Sequence, residues 1–146
     1  MKDSRSWRAR VDAYPQICTE VVQDLLEDEP FVLWLSGDLG AGKTTVAGAL
    51  LRALGLAPNI PVLSPTFTYL TEYDTLSGRV GHMDLYRLVQ GDHDSLEALV
   101  SGRDFRGLIV EWPERAAGAE RIAPTRILEL QMDDDPSSRR LIYQRP

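Results

Sequence analysis

Eight consecutive residues constrain this chain more than anything else in it. Gly37-Asp38-Leu39-Gly40-Ala41-Gly42-Lys43-Thr44 satisfies the pattern G-x-x-x-x-G-K-[ST] at every fixed position. The stretch before it, Phe31-Val32-Leu33-Trp34-Leu35, is apolar on both faces, as a parallel strand covered by helices on both sides would be. After it, Val46, Ala49, Leu50, Ala53 and Leu54 recur at helical spacing, and Gly55 stands where a left-handed C-terminal cap is expected. Strand, glycine loop and helix together predict a phosphate-binding loop. Its glycines let backbone N–H groups turn inward around phosphate oxygens, and the positive end of the following helix faces the anion. Lys43 would supply a point charge to the β and γ phosphates, and the Thr44 hydroxyl would ligate Mg²⁺.

The rest of the chain is organised around that unit. With 146 residues and no repeat or low-complexity tract, one domain over residues 1–146 is expected. Trp7, Ala9, Val11 and Ala13 alternate with Arg8, Arg10 and Asp12 and read as a half-buried first strand. Ile17, Val21, Val22, Leu25 and Leu26 share one helical face, in a helix that Pro30 ends. Phe67 to Tyr73 and Arg79 to Leu85 suggest a hairpin joined by Asp74-Thr75-Leu76-Ser77-Gly78. Leu108-Ile109-Val110 is a second buried strand, and Arg126 to Met132 with Arg139 to Gln144 form a closing hairpin around the turn Asp133-Asp134-Asp135. Between Val89 and Arg106 the pattern is least distinct, with a short helix starting near Gly91-Asp92-His93-Asp94 and running through Ser95 to Val100. The fold class expected is α/β, a P-loop NTPase-like sandwich with a parallel core sheet extended by antiparallel strands and hairpins.

A phosphate loop needs a second acid to hold or orient magnesium, and Glu111, directly after Leu108-Ile109-Val110, stands at a strand end. It could bind the metal through water or polarise an attacking water; it could equally cap the following turn or pair with Arg115. His82, Asp84 and Tyr86 have period-two spacing and would share one strand face, either to orient water or metal or to make a structural hydrogen bond. Ser64-Pro65-Thr66-Phe67 reads as a rigid turn carrying hydroxyls. The N-K-x-D element of guanine-specific enzymes is missing, and Arg87, Arg103, Arg106 and Arg115 are candidate transition-state charges without diagnostic spacing.

Composition narrows the partners. Sixteen Lys plus Arg against 22 Asp plus Glu give a net charge of −6, which disfavours autonomous nucleic-acid binding. The single cysteine, Cys18, excludes an intramolecular disulfide, and no stretch approaches the length of a membrane span. Met1 to Arg10 does not lead into a continuous apolar run, so a cleaved signal peptide is not expected and the cytoplasm is the default location.

Taken in order, Gly37 through Thr45, Ser64-Pro65-Thr66-Phe67-Thr68, His82-Met83-Asp84-Leu85-Tyr86-Arg87-Leu88 and Glu111-Trp112-Pro113-Glu114 resemble the TsaE (YjeE) family. These are bacterial ATPases that assist threonylcarbamoylation of tRNA adenosine, and the resemblance covers about Phe31 to Arg115. It implies that Asp38, Leu39, Gly40, Ala41, Gly42, Lys43, Thr44 and Thr45 bind ATP, and that Thr44 and Glu111 bind Mg²⁺. It further implies that Asp84 is needed for function alongside Lys43 and Glu111, which changes the reading of Asp84 from structural to catalytic. The implied partners are the transferase TsaD and its companion TsaB, with tRNA reached only through that complex. The start of the first helix, Pro15-Gln16-Ile17-Cys18-Thr19, departs from the family's polar pattern, and Val89 to Arg106 aligns poorly. Two other readings stand beside this one: a small-molecule kinase, which would need an arginine-bearing lid, and a nucleotide-sensing module in which the acids at 84 and 111 are dispensable.

Overall fold

The structure, a computed structural model, describes residues 4–88, 93–116 and 118–146. A seven-stranded sheet organises the chain: β1 (Ser4–Ala9), β2 (Phe31–Gly37), β3 (Leu70–Thr75), β4 (Gly78–Asp84), β5 (Gly107–Glu111), β6 (Arg126–Met132) and β7 (Arg139–Gln144). Their spatial order is β1-β7-β6-β2-β5-β4-β3. The four inner strands β6, β2, β5 and β4 are parallel, while β7, β1 and β3 add antiparallel edges. This is the expected α/β class.

Helices α1 (Tyr14–Leu25) and α2 (Lys43–Ala53) cover one face, and α3 (His93–Val100) with short 3₁₀ turns covers the other. The run Phe31 to Leu35 explains the central place of β2: Phe31, Leu33 and Leu35 enter the core under α1 and α2, while Val32 enters the core on the opposite face. Helix α1 buries Tyr14, Ile17, Cys18, Val21, Val22 and Leu25, the stripe its 3.6-residue period requires. Helix α2 ends as the sequence predicts. The Gly55 N–H donates to the Arg52 carbonyl and the Leu56 N–H to the Leu51 carbonyl, with Gly55 at φ 102°.

Several boundaries differ from the sequence reading, each for a local reason. β1 stops at Ala9, and Val11–Ala13 forms a 3₁₀ turn closed by the Ala13 N–H on the Arg10 carbonyl, which leaves Val11 exposed. Helix α1 ends at Leu25, and Leu26, its C-cap, is half-buried and packs against the same core. β3 begins at Leu70 because the Tyr69 N–H bonds the Pro65 carbonyl at 2.8 Å, keeping Phe67 and Thr68 in a turn. The hairpin pairs Thr75 with Gly78, so its connection is Leu76-Ser77 alone. β4 ends at Asp84, whose Oδ1 accepts the Tyr86 N–H at 3.0 Å, so Tyr86 leaves the strand face it was expected to share. The helix expected near residues 91–100 is present from His93, and its expected start at 91–92 lies outside the described residues. The closing hairpin has the bounds read from sequence, but β6 joins the parallel core beside β2.

Candidate functional site

Parallel strands end together at one edge of the sheet, and β2, β4 and β5 deliver their last side chains there. Register places Glu111 between Leu35 on one side and Asp84 on the other. His82 and Asp84 on β4, like Glu111 on β5, point to the face that carries α2 by the period-two rule that sends their neighbours Met83 and Val110 into the opposite core. The loop after β2 turns into α2 through Gly42 at φ 98°. An added Cβ there would meet nothing within 4 Å, so it is the left-handed backbone that requires glycine.

The first turn of α2 brings Thr44 over Glu111, with its Oγ1 at 3.2 Å from both carboxylate oxygens. His82 Nε2 lies 2.5 Å from Glu111 Oε2, and both side chains are almost fully buried. As Glu111 is a carboxylate acceptor, the ring nitrogen facing it is the donor, and His82 Nδ1 is left buried with no partner among the described residues. Asp84 is held in the same way by hydroxyls. Its Oδ2 accepts from Ser64 and from Thr66, the latter at 3.2 Å. Arg115, the alternative partner considered for Glu111, instead donates to the Leu88 carbonyl.

Lys43 is only 5% exposed. Its Nζ donates to the Gly37 and Asp38 carbonyls at 2.6 and 3.1 Å and stands 4.1 Å from the centre of the Trp112 ring. Burial pulls its pKa below the ordinary lysine value, against the opposing pull of Glu111, Glu114, Asp84 and Asp38. Trp112 reaches that position through a left-handed backbone, φ 56°, and its ring packs on Tyr86 with centroids 4.9 Å apart. Such a conformation costs an aromatic residue about 1–2 kcal/mol and is held by its surroundings.

These groups line a cleft of about 400 Å³ walled by Leu39, Gly40, Gly42, Lys43, Thr44 and Thr45 on the loop side, and by Ser64, Thr66, Asp84, Tyr86, Glu111 and Trp112 opposite. Asp38 and Ala41 belong to the loop but not to this wall: the Asp38 carbonyl takes Lys43, and Ala41 is buried behind the loop. Leu39 is exposed on the cleft wall, and Phe67, next to Thr66, is exposed as well. None of the four candidate arginines lines the cleft. Arg103 pairs with Glu72, Arg106 clamps the Leu26 and Asp28 carbonyls, and Arg87 lies over the Phe67 ring. Sequence reasoning missed Ser64 as the partner of Asp84; the hydroxyl-bearing turn was visible, but its target, twenty positions away, was not.

The donor set fits a small hard cation. The Thr44 hydroxyl and the Glu111 carboxylate offer adjacent oxygens beside the mouth of the loop, with a third oxygen group, Asp84, on the neighbouring strand.

Comparison with known proteins adds the following. The sequence profile of the family described as "Threonylcarbamoyl adenosine biosynthesis protein TsaE" matches residues 10–142. The chain is 38% identical over 134 residues to the tRNA threonylcarbamoyladenosine biosynthesis protein TsaE of Aquifex aeolicus, covering 92% of this chain and 90% of that one. It is 34% identical over 131 residues to the protein of that name from Haemophilus influenzae, covering 86% and 78%. Among solved structures, the crystal structure of Bacillus subtilis YdiB superposes with a TM-score of 0.69 at 26% identity, over 99% of this chain and 87% of that one.

Proposed function

Because the chain belongs to the TsaE family, and so has a role in tRNA threonylcarbamoyladenosine biosynthesis, we propose that it binds and hydrolyses ATP in that pathway, acting with TsaD and TsaB. The observation that carries this reading is the meeting of Thr44, the last residue of the phosphate-loop motif, with Glu111, an acid 67 positions later at the end of a neighbouring strand. A loop that only turned a strand into a helix would not need a buried carboxylate across from its hydroxyl.

In this reading the loop amides and Lys43 hold the β and γ phosphates, and Lys43 exchanges part of its bonding with the Gly37 and Asp38 carbonyls for phosphate oxygens. Thr44 and Glu111 would hold Mg²⁺, which when bound neutralises charge on the phosphate oxygens. His82 fixes the rotation of the Glu111 carboxylate. Asp84, fixed by Ser64, Thr66 and the Tyr86 amide, orients the water that attacks the γ phosphorus, and the bond to the β-phosphate oxygen breaks to release ADP. Tyr86 and Trp112 shield one side of the cleft from solvent. Among the described residues no arginine lines the cleft; slow turnover by the isolated chain is expected in this reading, since an added arginine is worth about 10³ to 10⁵ in rate. Cys18 is buried and its thiol is pushed up to about 12 by desolvation, so it takes no part in the chemistry of the cleft.

Phosphate release from ATP by the purified chain, with and without TsaD and TsaB, tests the proposal. Slow release that rises with the pair supports it. Rapid release indifferent to the pair would favour a self-sufficient enzyme, and ATP binding with no release in either condition would favour a nucleotide sensor.

A further inference from the structure

A loop that binds an anion through its amides carries as many carbonyls as N–H groups, and those carbonyls must be held away from the ligand. Most of them have evident partners. Gly37 and Asp38 accept from Lys43, Asp38 also from the Ala41 N–H at 3.0 Å, and Gly42 from the Val46 N–H at 3.1 Å in the first turn of α2. At the apex, the Gly40 and Ala41 carbonyls are reached from outside the loop by one residue, Arg139 at the start of β7. Its Nε donates to Ala41 O at 3.0 Å, with a longer contact of 3.5 Å from Nη2 to Gly40 O. The same guanidinium is anchored through Nη1, which donates to the Pro136 and Ser138 carbonyls, both at 2.8 Å.

A planar trans peptide sets the carbonyl of one residue opposite the N–H of the next. Drawing the Ala41 oxygen toward β7 therefore turns the Gly42 N–H the other way, and Gly42 lines the cleft. Nothing in the side chains of Ala41 and Gly42 can hold that peptide, whose rotation changes ψ of Ala41 and φ of Gly42, and Gly42, a glycine at φ 98°, is free to let it turn. The geometry points to Arg139 as a positioning residue for the nucleotide: a clasp between the closing hairpin and the apex of the loop that fixes the direction of the Ala41–Gly42 peptide, and with it an amide offered to phosphate. Arg139 acts from behind the loop and does not touch the ligand. This inference rests on the reading of the cleft as a nucleotide site.

Calorimetric titration with ADP and with inorganic pyrophosphate separates the two claims. In Arg139→Met both affinities should fall by about tenfold, the loss expected when one hydrogen bond to a charged group is misdirected. Both ligands should lose equally, because the amide in question meets phosphate and not the base. Arg139→Lys, which keeps the charge but cannot grip hairpin and loop with one planar fork, should recover only part of the loss. Across an ATP titration, the KM of the variants should rise while the rate at saturation stays close to that of the parent. Parent-like affinity in Arg139→Met, full recovery in Arg139→Lys, or a loss confined to ADP would each overturn the clasp. Should the methionine variant fail to fold, the lysine variant decides alone, and affinity equal to the parent's overturns the proposal. A parent chain that binds neither ligand would sink the nucleotide reading itself, whereas a parent that binds beside variants that bind equally well sinks only Arg139.

Discussion

Lys43 has two jobs in the loop, stapling the Gly37 and Asp38 carbonyls and placing the site's positive charge against Trp112. Lys43→Ala should therefore weaken ADP binding by tenfold or more, about 1.5–3 kcal/mol, and also lower the thermal midpoint slightly, since the Gly37 and Asp38 carbonyls each lose one bond. Calorimetry and a melting curve check both, and unchanged ADP affinity would refute the phosphate-loop assignment. Glu111→Gln and Asp84→Asn preserve shape and remove charge. Single-turnover hydrolysis should fall far more than ADP affinity in each, because placement of metal and water matters most in the transition state; parent-like rates in both would make the acids structural. His82 gives a finer test. His82→Gln returns an N–H donor to Glu111 and should restore the Mg²⁺ concentration that half-saturates nucleotide binding, whereas His82→Leu should raise it severalfold; equal behaviour of the two would deny His82 its role. Glu111 was legible in the sequence because it ends a short apolar run. Asp84 was legible only through family resemblance, since a His-x-Asp pair on a strand is more often structural. The hydroxyl turn carrying Ser64 was visible but its bond to Asp84 was not, and Arg139 was not singled out, because both bonds are set by tertiary approach and leave no spacing to read.

At the scale of elements, the end of α1 is tied to β6 and β7 by a network that the apolar pattern hides. Arg126, 3% exposed, donates to Asp24 at 2.6 Å and Asp28 at 2.9 Å, and the Tyr143 hydroxyl donates to Asp24 at 2.5 Å. Burial alone would raise the Asp24 pKa, but the bonds from Tyr143 and Arg126 together hold it below the usual carboxylate value. A lowered folded-state pKa means stability that is fully present above the unfolded value, near 3.9, and is lost as pH falls through the lower folded value. Asp24→Asn should thus lower the thermal midpoint by several degrees at pH 7, about 2 kcal/mol, with the gap to the parent closing as the pH drops below about 4. Melting curves from pH 7 to pH 3 would show it, and a gap independent of pH would rule out the carboxylate as its source. Helix and strand identities followed from period and run length, as α1, α2 and the bounds of β6 and β7 demonstrate. Their ends were set by single bonds no pattern reveals, such as the Tyr86 amide on Asp84 that stops β4.

For the molecule as a whole, the net charge of −6 argues against tRNA binding by the chain alone. Fluorescence anisotropy at physiological salt should find no saturable binding of tRNA by the chain alone, and added tRNA should leave its ATP turnover unchanged; tight binding would reverse this view of who carries the nucleic acid. Strand count and class could be read in advance, but the neighbour of β2 could not: a terminal hairpin reads the same whether it hangs from an edge or, as here, supplies a core strand. That arrangement has a consequence in time. Among the described residues β1 pairs only with β7, so Trp7 leaves the ribosome long before its partner Leu141 exists, a wait of order ten seconds at ordinary rates of synthesis. The phosphate loop is likewise translated well ahead of Arg139. A nascent chain can hold strand, loop and helix in outline while its sheet edge is still open, and acquires a settled loop only as the closing hairpin docks.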